Sequence, residues 1–107
     1  RWWRFLDTVP HFEIVSWAHN CLHPWGNSGS GDVRVWYLQT ASAYVVRRSA
    51  MNRLRDVYLQ ALTERCPFDK FMTRIREDVQ WYAMRPALSR QRPCFSDILG
   101  KRVDYGC

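Results

Sequence analysis

A chain of 107 residues that is 47% hydrophobic and 24% charged has the size of one domain and the composition of a globular one, which excludes a second domain, a disordered tail and a collagen-like or low-complexity chain. Sixteen basic residues against ten acidic ones leave +6, a charge that attracts acidic proteins, nucleic acid or an anionic membrane surface without choosing among them. The 15% of aromatic residues, with six Trp, is more aromatic surface than a small core readily hides.

The first residue is Arg1 and the first Met is Met51, from which a missing upstream segment is expected, with a cleaved organellar transit peptide, a cleaved secretory signal and an engineered fragment as the open alternatives. Residues 1–7 read as an extended aromatic arm. Trp2, Trp3 and Phe5 are unusually apolar for a chain end and need burial by the chain's own core, by a partner or by a membrane interface, with a partner expected to take at least part. Thr8 then reads as the cap of a helix over 8–23, with Pro10 in its first turn and Phe12, Val15, Ala18 and Leu22 on its apolar face beside Ile14, Trp17 and Cys21. His23-Pro24 ends it. Residues 24–31 form a Gly/Ser loop in which Trp25 is the one large apolar side chain.

A long central helix is expected over 32–66, because Tyr37, Ala41, Tyr44, Met51, Leu54, Tyr58, Ala61 and Leu62 keep near-helical spacing. At roughly 50 Å it either bends near Arg47-Arg48-Ser49 or protrudes. The β-branched and aromatic cluster over 33–46 offers a strand as the alternative, with helix preferred. Its Arg34, Gln39, Thr40 and Ser42 also break the most apolar stretch of the chain, which falls short of a membrane span. Cys66-Pro67 separates a third helix over 67–85, with Phe68, Phe71, Met72, Ile75, Val79 and Tyr82 facing inward. Residues 86–107 read as an extended basic tail with a short helical turn from Ser96 to Leu99. The expected class is therefore mostly α, a small three-helix arrangement.

The chemistry-bearing residue types do not form a recognisable site. His19, Cys21 and His23 stand one residue apart, which on a helix turns successive side chains by about 200°, against the spacing of zinc ligands. Glu77 and Asp78 are adjacent beside Arg74 and Arg76, the pattern of a solvated helix face. Neither a nucleophile elbow nor a phosphate-binding loop is present in the sequence. No catalytic residue, metal, cofactor or small-molecule substrate is expected. Four cysteines, Cys21, Cys66, Cys94 and Cys107, allow three disulfide pairings, with free thiols preferred.

Interaction is then the expected mode of action. Trp2, Trp3, Phe5, Trp25 and Trp81 are the candidate partner-binding residues, and Arg47, Arg48, Arg55, Arg90 and Arg92 the candidate contacts to an anionic partner. The stretch from Arg53 to Leu62, followed by Arg74-Ile75-Arg76-Glu77-Asp78, resembles the helical Leu-Tyr-Arg-motif proteins, although Tyr58 lies between Val57 and Leu59 and the defining triplet is missing. That resemblance implies a subunit or assembly factor of a mitochondrial complex. The expected function is a non-catalytic accessory or scaffold subunit of a larger assembly. The alternative is an RNA-contacting structural component such as an organellar ribosomal protein, and an anionic membrane surface is a further possible partner.

Overall fold

The structure, a computed structural model, describes residues 2–20, 22–25, 31–39, 42–68, 72–96 and 100–103. Its class is α+β, which corrects the expectation of a mostly helical, three-helix chain. In chain order the described elements are α1 (Trp2–Thr8), β1 (Ile14–Ala18), β2 (His23–Pro24), β3 (Val33–Tyr37), β4 (Ala43–Val46), α2 (Arg48–Glu64), a 3₁₀ turn (Thr73–Ile75), β5 (Trp81–Ala83), β6 (Cys94–Ser96) and β7 (Lys101–Val103). Five strands form one mixed sheet in the order β2-β3-β5-β1-β4, and β6 and β7 form a separate antiparallel pair. β1 runs parallel to β5 and antiparallel to β4, while β3 runs antiparallel to both β2 and β5.

The expected helix over 8–23 holds instead the interior strand β1, paired with β5 on one side and β4 on the other. Ile14 and Val15 are both fully buried because β1 is covered on both faces, so it reads as a continuous apolar run whose period does not tell strand from helix. Pro10 does not open a helix here. It follows the end of α1, where the Thr8 hydroxyl donates back to the Arg4 carbonyl at 2.8 Å. Residues 2–7 of the stretch read as an extended arm are helical instead, and Arg1 lies outside the described residues.

The first half of the expected helix over 32–66 is β3 and β4. In β3, Val33 and Val35 are buried while Arg34 and Trp36 face the other way, the two-residue alternation of a strand. Only the second half is helical. In α2, Ala50, Leu54, Val57 and Ala61 recur at steps of four and three and form its buried stripe. The helix stops at Arg65, whose φ of 54° is left-handed, where the Cys66 N–H donates to the Ala61 carbonyl at 3.0 Å just ahead of Pro67.

The expected third helix over 67–85 gives way to the 3₁₀ turn and β5, so Ile75 and Val79 are buried from a turn and a loop rather than along one helix face. Phe71 lies outside the described residues, as do most of the Gly/Ser loop, Cys21 and Cys107. In the tail, Ser96 belongs to β6, and 97–99 are outside the description. Among the described residues, no helix is long and apolar enough to cross a membrane.

Two cores result. On one face of the sheet, α2 packs Ala50, Leu54, Val57 and Ala61 over Ile14, Val35, Trp81 and Ala83, closed by Met72, Ile75 and Val79. Trp81, almost wholly buried, donates its indole N–H to the Ser16 hydroxyl at 2.9 Å, which satisfies the polar handle of each. On the opposite face, α1 packs Phe5 among Phe12, Val15 and Met84. Around it run Trp2 stacked on Phe5 at 5.6 Å, Trp2 against Trp17 at 5.2 Å, and Phe5 against Phe12 at 5.5 Å.

Glu13 and Arg47 join these layers. The Glu13 backbone N–H donates to the Gln80 carbonyl at 2.8 Å, and its carboxylate accepts from the Ser49 hydroxyl at 2.9 Å and the Gln80 N–H at 3.2 Å. Arg47 donates from Nε to the Phe12 carbonyl at 2.7 Å and from Nη2 to the Pro10 carbonyl at 3.0 Å, with its guanidinium 4.2 Å from the centre of the Phe12 ring. Hydrogen bonds from a charged donor contribute about 1.5–3 kcal/mol where they are sheltered. Because Arg47 is itself exposed and only its bond to Phe12 is part-buried, Arg47→Gln should lower the unfolding free energy by about 0.5–1.5 kcal/mol in a urea titration. Arg48→Gln, at the exposed next position, should stay within about 0.5 kcal/mol of the parent.

Candidate interaction surfaces

The sequence-predicted partner residues divide by layer. Phe5 and Trp81 are interior, 1% exposed each, and Trp2 is half-buried among the α1 rings. Trp3 faces out from α1 with 76% of its surface exposed, and Trp25 keeps 39%. The predicted basic contacts divide as well. All five are exposed, but Arg47 alone of them is committed to the carbonyls of Phe12 and Pro10 among the described hydrogen bonds. Of the candidate anionic-partner contacts, Arg47 thus anchors the fold while Arg48 and Arg55 lie on the solvated face of α2.

Two surfaces emerge that the sequence reading did not single out. The first is the outer flank of α2. Met51, Tyr58 and Leu62 stand at positions i, i+7 and i+11, on the same flank of the helix and off the buried stripe, with Leu59 beside them. Each of the four is between 49% and 61% exposed. Arg55 occupies the i+4 position in the middle of this flank, and its guanidinium reaches the adjacent Asp56 at 3.5 Å. The Tyr58 ring meets Phe68 at 5.3 Å, which carries the apolar strip past the end of the helix. In sequence, Met51, Tyr58 and Leu62 look like members of the same core face as Leu54 and Ala61; an apolar arc wider than one buried stripe is the signal that separates them.

The second lies on the β2–β3 half of the sheet. Strand alternation puts Arg34 and Trp36 on the face opposite Val33 and Val35, and Arg34 pairs in register with Tyr82, a member of the α1-side core. Trp25 and Trp36 meet edge to face with ring centres 4.6 Å apart. The Arg34 guanidinium lies 5.0 Å from the centre of Trp25, and that of Arg76 lies 4.3 Å from the centre of Trp36. The result is a row of cation, two indoles and cation, with Trp25 and Trp36 each 39% exposed. Trp25 alone of the four was expected at a surface site; the valine–arginine–valine–tryptophan alternation of 33–36 was the available clue to the rest.

Elsewhere the chemistry is sparse. His19 Nε2 bonds the Met84 carbonyl at 2.7 Å, and the His23 ring lies 5.7 Å from that of Tyr37. Among the described residues, no three His, Cys, Asp or Glu side chains converge to hold a metal. Cys66 carries a free thiol. An open cleft lined by Ala18, Ser42, Ala43, Ser89, Arg90 and Gln91 is bridged by the Ser42 hydroxyl, which donates to Gln91 Oε1 at 2.9 Å. Among the described residues that line it there is no His, Cys, Asp or Glu beside the Ser42 and Ser89 hydroxyls. Burial pushes the Tyr44 phenol above its ordinary value, which keeps it protonated at neutral pH.

Comparison with protein families, with curated proteins and with solved structures finds no match. The mitochondrial placement therefore has no relative to support it, and the two described helices and mixed sheet do not bear out the helical character on which the resemblance rested.

Proposed function

We propose that this chain is a non-catalytic accessory or scaffold subunit that acts through protein–protein contacts, with the outer flank of α2 as its main docking surface. The observation that carries this reading is the second apolar stripe of α2. Met51, Tyr58, Leu59 and Leu62 stand in solvent on a helix whose own core contacts are already made by Ala50, Leu54, Val57 and Ala61. The span from Met51 to Leu62 is about three helical turns, the length over which a partner helix engages by ridges at i, i+4, i+7 and i+11. Arg55 at the centre of that ridge, in a chain of net charge +6, matches an amphipathic partner helix with an acidic residue at its middle.

A photo-reactive amino acid at position 62 tests the reading in native cells. The expected result is a discrete protein adduct that survives nuclease, with no adduct from the same probe at Gln60, exposed on the far side of α2. An adduct at 62 that nuclease removes, or equal labelling from 60 and 62, overturns it.

A further inference from the structure

The row formed by Arg34, Trp25, Trp36 and Arg76 is built for a ligand of definite charge. Each guanidinium lies over an indole, so its orientation is fixed before anything binds. Each Nε is buried without a hydrogen-bond acceptor. Arg76 places one Nη on the Thr73 carbonyl at 3.1 Å, whereas the guanidinium of Arg34 lies over the Trp25 ring. Neither pairs with a carboxylate among the described ion pairs, which join Arg53 to Asp78, Arg55 to Asp56 and Arg74 to Glu64. A half-buried cation with no carboxylate partner among the described residues, in a chain that is already +6, suits an oxyanion ligand.

We propose that this row binds an acidic segment of a partner protein, with Asp or Glu carboxylates on the outward Nη groups of Arg34 and Arg76 and the partner's backbone laid across Trp25 and Trp36. Geometry favours this occupant over single-stranded nucleic acid. One face of each indole is already covered by a guanidinium, and the two rings meet edge to face, so no pair of parallel open faces is left on which successive bases could stack. Trp and Arg around a fixed centre are instead the residue types on which protein contacts concentrate their affinity. The inference rests on the protein-docking reading above for the class of its occupant, but it uses a surface and a test separate from α2.

The test uses the full chain and two labelled probes, a short glutamate-rich peptide and an oligouridylate, followed by fluorescence anisotropy at low and moderate salt. Peptide binding that weakens with salt is expected. Arg34→Gln and Trp25→Ala should each weaken it by roughly tenfold, the second without any change of charge. Arg92→Gln, which removes the same charge from an exposed site, should leave it within about twofold. Trp36→Phe, which keeps an aromatic surface under Arg76, should keep most of the binding, and circular dichroism melts confirm that each variant is folded. Tighter binding of the oligouridylate, equal loss from Arg92→Gln, or no peptide binding by the folded parent each overturns the proposal. None of these outcomes alters what the probe at position 62 reports, so failure of the row and failure of the α2 reading are told apart.

Discussion

Phe5→Ala should lower the unfolding free energy by about 3–5 kcal/mol, a large part of the roughly 5–15 kcal/mol that holds a domain of this size together. Phe5 is 1% exposed and sits at the centre of the α1-side core, with ring contacts to Trp2 at 5.6 Å, Phe12 at 5.5 Å and Tyr82 at 6.2 Å. Removing it forfeits the transfer free energy of a phenyl ring, leaves a cavity bounded by a sheet that cannot close inward, and breaks three aromatic contacts at once. The measurement is a urea titration. Near-ultraviolet dichroism should weaken alongside it, because Trp2 and Trp17 lose their fixed surroundings. Trp3→Ala is the matched control: with 76% of its surface in water, that side chain should change stability by no more than about 0.5 kcal/mol. A loss below about 1 kcal/mol for Phe5→Ala would mean that α1 is not docked on the sheet. Removal of residues 1 to 6 should by the same reasoning unfold much of the domain, instead of yielding the more soluble, intact one expected of a partner-seeking arm.

Ile75→Asp should be at least as damaging. Ile75 is 5% exposed at the end of the 3₁₀ turn and closes the α2-side core together with Met72 and Val79. The variant loses a buried aliphatic side chain, worth about 2–5 kcal/mol with its cavity, and adds a carboxyl group that must shed its hydration. The pH dependence separates the two costs. A buried carboxyl binds its proton more tightly in the folded than in the unfolded state, so its charge penalty is smallest below the ordinary Asp value of about 4 and grows as pH rises through it. The stability gap between variant and parent should therefore widen from acid to neutral pH, while Ile75→Ala shows a gap that does not move. A gap of the same size at every pH would place residue 75 in contact with water.

How far these features were legible depends on how many sides of an element are covered. The helical character of α2 was readable from its spacing, but its buried stripe only in part: Leu54 and Ala61 lie on it, Ala50 and Val57 were not singled out, and Met51, Tyr58 and Leu62 face water. β1 was not readable, since apolar residues face both cores and Phe12, Val15 and Ala18 then fit a helix by accident. Thr8 and Pro10 have the right chemistry for a helix start, yet they finish α1, because capping residues serve both ends and only the neighbouring hydrogen bond, here to the Arg4 carbonyl, tells which. Trp81 and Trp25 look alike in a list of tryptophans. One donates to Ser16 in the interior and the other stands beside Trp36 at the surface, a difference set by strand pairing far away in the chain. Arg47 and Arg48 are neighbours of identical type with opposite duties for the same reason.

The strand order also governs when the sheet can form. β5 is the last of the five strands in the chain and occupies the middle of the sheet, paired with β3 on one side and β1 on the other. Until Trp81, Tyr82 and Ala83 are in place, the chain holds two separate ribbons, β2 with β3 and β1 with β4, each with an open edge. Joining them requires contacts between residues far apart in the chain, such as Ile14 with Trp81, a long loop closure of the kind that slows folding. On a ribosome, the sheet waits until residue 83 has emerged, and during that wait the strand edges that β5 will pair are open to the wrong neighbour.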